Sequence, residues 1–70
     1  MTFGRKVKML MAARDMKLKD LAEKLGTSSQ NLSAKIGRDN LTERDLHEIA
    51  EACDATFKGE FTLNDTGKEI

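Results

Sequence analysis

Apolar residues between positions 3 and 53 recur three and four positions apart, which is the spacing of amphipathic helices. The pattern predicts four helices, of which the first ends near Arg14 or Asp15 and the second covers residues 18–25. The third follows Ser28 and the fourth starts at Thr42. The four apolar stripes are Phe3, Val7 and Leu10; Leu21, Ala22 and Leu25; Leu32 and Ile36; and Leu46, Ile49, Ala50 and Cys53.

After the fourth helix the pattern changes to a period of two. Residues 55–63 alternate small or apolar with polar side chains, which predicts one continuous, half-buried β-strand. Residues 64–67, with the sequence NDTG, predict a turn, and residues 68–70 a short return strand. The inner positions of the predicted strand are Ala55, Phe57, Gly59, Phe61 and Leu63.

A two-stranded hairpin is hardly stable alone, and its edge strands have unpaired N–H and C=O groups that can bond another strand. Two hypotheses for residues 55–70 follow. In one, the hairpin lays Phe57 and Phe61 over the helices of its own chain. In the other, strands from two subunits pair across a twofold axis and so make a homodimer. We favour the second hypothesis, because Gly59 also allows a close approach between backbones.

Residues 18–36, LKDLAEKLGTSSQNLSAKI, join the second and third predicted helices through a single glycine. Gly26 stands where a helix ends in a left-handed residue, a conformation that glycine adopts without steric penalty. Ser28 is the predicted N-cap of the next helix, which is polar or small outside Leu32 and Ile36. A helix, a glycine-containing turn and a second helix with a polar outer face are typical of a helix-turn-helix, whose second helix enters the DNA major groove.

The segment LAEKLGTSSQNLSAKI resembles the helix-turn-helix of Cro/repressor-type (XRE-like, lambda-repressor-like) transcriptional regulators. The resemblance extends from about Val7 to Cys53 and includes RDNLTERDLHEIAEAC. It implies a mainly α fold, a lambda-repressor-like bundle of four helices with a helix-turn-helix, to which this chain adds the C-terminal hairpin. We therefore expect a DNA-binding domain at residues 1–54 and a dimerisation element at residues 55–70.

The resemblance also implies a function, that of a sequence-specific regulator of repressor type that reads the major groove of double-stranded DNA with residues 29–36. The alternative is a protein-interaction module, of antitoxin or anti-repressor type, that acts through the C-terminal strand. The sequence has no glycine-rich phosphate loop and no nucleophile–base pair, so no enzyme is predicted. His47 has no second ligand at metal-binding spacing, and we expect no metal, cofactor or small-molecule ligand.

The resemblance implies that Ser29, Gln30 and the Ser33/Ala34 region are the base-reading positions. A glutamine amide can pair with N6 and N7 of adenine, and Asn31 can do likewise. An alternative role for Gln30 is a capping box with Thr27, in which the glutamine folds back onto the backbone.

Contacts with DNA phosphates are implied at both ends of this motif. Lys17 stands at the N-cap of the second helix, where the motif commonly has Ser or Thr, and loss of such a cap costs about 1 kcal/mol. In the family the N–H groups of this helix start bind a phosphate, which Lys17 or Lys19 would reinforce. The loop after the third helix follows the DNA backbone, where Arg38 and Asn40 are phosphate candidates and Asp39 is unfavourable; turn formation explains Asn40 equally well. The predicted DNA-binding residues are Lys17, Lys19, Ser28, Ser29, Gln30, Asn31, Ser33, Lys35, Arg38 and Asn40.

The formal net charge is zero, but the charges are unevenly distributed. Residues 1–38 carry nine basic and three acidic side chains, and residues 39–70 carry three basic and nine acidic ones. The helix-turn-helix half therefore offers a positive face to phosphates. Four basic residues of the first helix are candidates for backbone contacts or simply a solvated face: Arg5, Lys6, Lys8 and Arg14.

No long apolar run or export signal occurs, so we expect no membrane association and a cytoplasmic protein. The single cysteine, Cys53, fits a reducing compartment, and its place in an apolar stripe predicts a buried structural thiol. Met16 is expected to fill the core, and Met9 and Met11 to be partly exposed.

Overall fold

The computed structural model describes residues 3–38 and 40–70, so the prediction for Asp39 lies outside the described residues. Within these residues four helices are followed by a small antiparallel hairpin, which confirms the mainly α bundle with its C-terminal β element. The elements are α1 (Phe3–Ala13), α2 (Leu18–Leu25), α3 (Ser29–Gly37), α4 (Glu43–Ala52), β1 (Ala55–Phe57) and β2 (Phe61–Leu63).

The helix boundaries follow from capping residues. Gly26 ends α2 in the left-handed conformation, with φ 72°, as predicted. Thr42 and Asp45 cap α4 reciprocally: the Thr42 hydroxyl accepts from the Asp45 N–H at 3.1 Å, and the Asp45 carboxylate accepts from the Thr42 N–H at 3.0 Å. At the start of α2 the ammonium of Lys17 cannot accept a hydrogen bond from the helix N–H groups. The Asp20 carboxylate, however, accepts from the Lys17 N–H at 3.2 Å. Half of a capping box therefore forms where the sequence predicted a weakened helix start.

The predicted apolar stripes meet in one core between the four helices and the hairpin, except for Phe3, which is exposed and contacts the ring of Phe57 edge-on. The prediction for Met11 was wrong, because Met11 is buried on the same face of α1 as Val7. Cys53 is buried as predicted, and burial raises the pKa of its thiol. The buried apolar residues are Val7, Leu10, Met11, Leu21, Ala22, Leu32, Ile36, Leu46, Ile49, Ala50, Cys53, Ala55, Phe57, Phe61 and Leu63.

A glycine in α1 sets how closely α1 approaches α3. Gly4 is buried, and a Cβ atom added to it would lie 2.5 Å from the backbone oxygen of Ile36, near the C-terminus of α3. Real Cβ contacts essentially never fall under 3.0 Å, so a side chain at this position would push the two helices apart. The position of α3 against α1 therefore depends on the absence of a side chain at residue 4.

The predicted continuous strand over residues 55–63 was wrong, because the chain reverses at residues 58–60. β1 and β2 pair antiparallel, with Phe57 opposite Phe61 and Ala55 opposite Leu63. Gly59, at φ 78°, takes the left-handed conformation that this tight reversal requires. In each pair the two residues are both odd-numbered or both even-numbered. The alternation of buried and exposed side chains is therefore the same for one continuous strand as for this hairpin.

The return strand predicted after residues 64–67 is present only as a single β-bridge between Thr62 and Glu69. The N–H of Leu63 donates to Lys68 O at 2.9 Å and the N–H of Ile70 to Phe61 O at 2.8 Å, so residues 68–70 cover the outer edge of β2. Phe57 and Phe61 are buried, with ring centroids 5.2 Å apart. The hairpin thus packs over the helices of its own chain, as in the first of the two hypotheses.

Arg14, one of the predicted candidates for DNA backbone contact, holds the hairpin to the helices instead. Its guanidinium donates to the backbone oxygens of Cys53 and Asp54, each at 2.8 Å. It also forms a two-point pair with the carboxylate of Asp65, at 2.9 and 3.0 Å. One side chain therefore ties together the end of α1, the end of α4 and the turn at residues 64–67.

Candidate nucleic-acid interface

The third helix, α3, presents a polar outer face to solvent. Only Leu32 and Ile36 of this helix are buried, and they lie one turn apart on its inner face. At about 100° per residue, the positions opposite to them are Gln30 and Ala34. The remaining residues of α3 are exposed: Ser29, Gln30, Asn31, Ser33, Ala34, Lys35 and Gly37.

Ser28 starts α3 through its own side chain. Its hydroxyl accepts from the Asn31 N–H at 3.1 Å, which is the predicted N-cap bond. The alternative capping box of Thr27 with Gln30 was wrong, because the cap lies one residue later. Gln30 is consequently the second residue of the helix, and its side chain is exposed.

The two flanks of α3 differ in charge. On one side Ser33 and Gly37 line a shallow groove together with Lys8 of α1 and Leu18 at the start of α2. Lys17 and Lys19, exposed, flank Leu18 in the sequence, so this side is basic. On the other side Asn31 and Lys35 line a hollow against α4 that also contains two carboxylates, Asp45 and Glu48.

Lys35 has a partner that the sequence did not indicate. Its Nζ lies 3.4 Å from both carboxylate oxygens of Asp45, while the Lys35 side chain stays half exposed. The two residues are ten positions apart and separated by a loop, so no helical periodicity relates them. Asp45 also caps α4 by accepting from the Thr42 N–H, so one carboxylate serves both purposes.

Arg38 and Asn40 lie at the exposed end of α3. The N–H of Arg38 donates to Ala34 O at 3.0 Å and the N–H of Asn40 to Lys35 O at 2.9 Å, so both backbones close the helix. Both side chains are exposed beside the outer face. The backbone of Asn40 thus helps to close α3, and its side chain remains accessible to a ligand.

A family model of the Cro/C1-type HTH DNA-binding domain matches residues 6–58. The chain belongs to this family. No curated protein and no solved structure matches it significantly. As a Cro/C1-type domain it is a DNA-binding protein of transcription regulation, in a family that is typically non-enzymatic.

The family match ends inside the hairpin turn, so β2 and residues 64–70 lie beyond it. The Cro/C1-type part thus contains most of α1, all of α2, α3 and α4, and β1, including the whole exposed face of α3. No helix within the described residues is long and apolar enough to cross a membrane. Those residues also contain no group of three or more potential ligands that could hold a metal ion.

Proposed function

We propose that this Cro/C1-type protein is a sequence-specific, repressor-like regulator of the cytoplasm that reads the major groove of double-stranded DNA with residues 29–36. The observation that carries the proposal is the outer face of α3, where Ser29, Gln30, Ser33 and Ala34 are all exposed and have hydrogen-bonding or small side chains. Such side chains let a helix enter a groove about 12 Å wide and reach the base edges there.

Base reading in this proposal centres on Gln30. Its exposed amide lies opposite the buried face of α3 and can pair with N6 and N7 of an adenine. Ala34 follows one turn later and offers only a methyl group, which suits contact with a thymine methyl. Ser29 and Ser33 add hydroxyls beside these two residues, and no arginine stands on this face before Arg38. We therefore expect an operator half-site in which A·T pairs occupy the central contacts.

Phosphate contacts come from both ends of the motif in this proposal. Lys17 and Lys19 stand at the start of α2, and Arg38 and Asn40 at the end of α3. Contacts of this kind fix the position of the helix on the duplex and carry affinity, whereas base contacts carry sequence preference. The carboxylates on the α4 flank repel phosphates, so we expect the stronger phosphate contacts on the basic flank and weaker ones on the α4 flank.

A homodimer through the C-terminal hairpin completes the proposal. The bonds from Asn64 N–H to Asp54 O and from Lys58 N–H to Glu60 O place the backbone groups of Ala55 and Phe57 on the edge of β1 away from β2. Since residues 68–70 cover the other side of the sheet, β1 is the strand that would pair with its copy. A mass of twice 7.8 kDa in light scattering is expected, and a monomer at micromolar concentration argues against it.

The test compares two variants by fluorescence anisotropy. A binding site is first selected from random-sequence duplexes with the wild-type protein. Gln30→Ala should then reduce the preference for that site, by about 5- to 100-fold for a bidentate base contact, and leave non-specific binding unchanged. Lys19→Gln should instead weaken binding to all duplexes alike and reduce the salt dependence by about one phosphate contact. If wild type selects no site and binds no duplex at low salt, the proposal is wrong.

A further inference from the structure

The ion pair between Lys35 and Asp45 lies on the flank of the exposed helix. Lys35 belongs to α3, and its Nζ is equidistant, at 3.4 Å, from the two oxygens of Asp45. Asp45 belongs to the first turn of α4, which follows directly on the loop after α3. The pair therefore links the helix proposed to enter the groove with the first turn of the next helix.

The two members of the pair are held very differently. The Asp45 side chain is mostly buried, with 22% exposed, and accepts from the Thr42 N–H at 3.0 Å. The Thr42 bond is the main reason that the pKa of Asp45 lies below its ordinary value, so the carboxylate is charged at neutral pH. Lys35 is half exposed, and its flexible ammonium can turn to another anion without moving the backbone.

A long, half-exposed ion pair is weak in water, at about 0.2–1 kcal/mol. A DNA phosphate that approaches α3 offers Lys35 a second anion. When the lysine neutralises this phosphate, counterions leave the duplex, which favours binding. If Lys35 pairs with the phosphate, the Asp45 carboxylate loses its cation, and if Lys35 stays with Asp45, the phosphate does not gain one. Asp45 stays fixed in the flank by its bond to Thr42, so it also faces the incoming phosphate as a like charge.

Resting on the proposed function, we infer that Asp45 is an electrostatic brake on DNA binding: it holds Lys35 back from the phosphate backbone and lowers the affinity for DNA of any sequence. A brake of this kind weakens non-specific binding while the base contacts of α3 remain unchanged. Because binding to the selected site weakens by the same factor, Asp45 limits the occupation of non-specific DNA without changing the sequence preference that α3 sets.

The experiment measures binding to an arbitrary duplex by anisotropy, across salt concentrations, with wild type, Asp45→Asn, Lys35→Met and the double variant. Asparagine keeps an oxygen for the Thr42 N–H and removes the charge. Asp45→Asn should tighten non-specific binding about threefold at low salt and steepen the salt dependence by about 0.9 in the logarithmic slope. Lys35→Met should then weaken binding more in the Asp45→Asn background than in wild type.

Two controls isolate the effect. Thr42→Ala removes the hydroxyl half of the helix cap but keeps the backbone N–H that holds Asp45, so it should not tighten DNA binding. Glu51→Gln removes one negative charge from an exposed position of α4, outside the hollow that contains Lys35. It should tighten binding less than Asp45→Asn does.

The outcomes separate this inference from the proposed function. If wild type binds DNA but the effects of Asp45→Asn and Lys35→Met are additive, or Glu51→Gln matches Asp45→Asn, the brake is refuted and the proposed function stands. If neither wild type nor Asp45→Asn binds any duplex, both are refuted. A larger loss from Lys35→Met once Asp45 is neutral supports the brake.

Discussion

Replacing Gly4 by alanine tests the close approach of α1 to α3, and the expected sign is opposite to the usual one. In a helix, alanine is normally more stable than glycine by up to about 1 kcal/mol. Here the new Cβ atom would lie 2.5 Å from the Ile36 oxygen, at least 0.5 Å inside the closest distance that real contacts reach. The oxygen belongs to the backbone and cannot rotate away. Overpacking of this kind costs about 1–3 kcal/mol, so we expect a net loss of about 1–2 kcal/mol.

Thermal unfolding followed by circular dichroism measures this loss. For a domain of this size, each kcal/mol shifts the melting temperature by about 4–8 °C, so Gly4→Ala should melt about 5–15 °C below wild type. The matched control is Gly37→Ala, at the exposed end of α3, where an added Cβ meets no atom within 4 Å. That variant should be unchanged or slightly more stable. A Gly4→Ala protein as stable as wild type would refute the argument that the absence of this side chain positions α3.

Two further predictions concern the contacts of Arg14. Arg14→Lys should lower the melting temperature and speed hydrogen exchange in the turn at residues 64–67, because one ammonium nitrogen cannot replace the three guanidinium nitrogens that bond Cys53 O, Asp54 O and Asp65. Unchanged exchange there would contradict the assigned role. The bond from Arg14 is also the main reason that the pKa of Asp65 is lowered in the folded protein. Its contribution to stability is therefore present above the unfolded-state pKa and lost as the pH falls through the folded-state value. The difference in melting temperature between wild type and Asp65→Asn should shrink over that acidic range, and a constant difference would contradict the pairing.

The local features of the fold were predictable from the sequence because their signals lie within a few residues. As predicted, Gly26 ends α2 and Ser28 is the N-cap of α3. The capping box of α4 was equally visible, since Thr42 and Asp45 stand three residues apart. The Asp20 bond to the Lys17 N–H has the same spacing and could have been found by the same rule.

The remaining errors have two physical causes. The position of the hairpin turn was missed because a reversal at residues 58–60 preserves the alternation of buried and exposed side chains. The roles of Arg14 and Lys35 were missed because their partners are distant in sequence or lie across a loop. In the sequence both cations contribute to the predicted positive face. In the structure Arg14 binds the hairpin, and Lys35 pairs with Asp45 of α4. A charge count predicts a surface potential, but it does not say which cations are already paired.

An amide chemical-shift titration of labelled protein with the selected duplex determines whether α3 is the surface that binds DNA. We expect the largest shifts at residues 28–38 and at the start of α2 around Lys17 and Lys19, with small shifts in the exposed residues of α4. Shifts concentrated in the hairpin, with α3 unchanged, would refute DNA binding through α3 and would favour a protein that acts through its C-terminal strand.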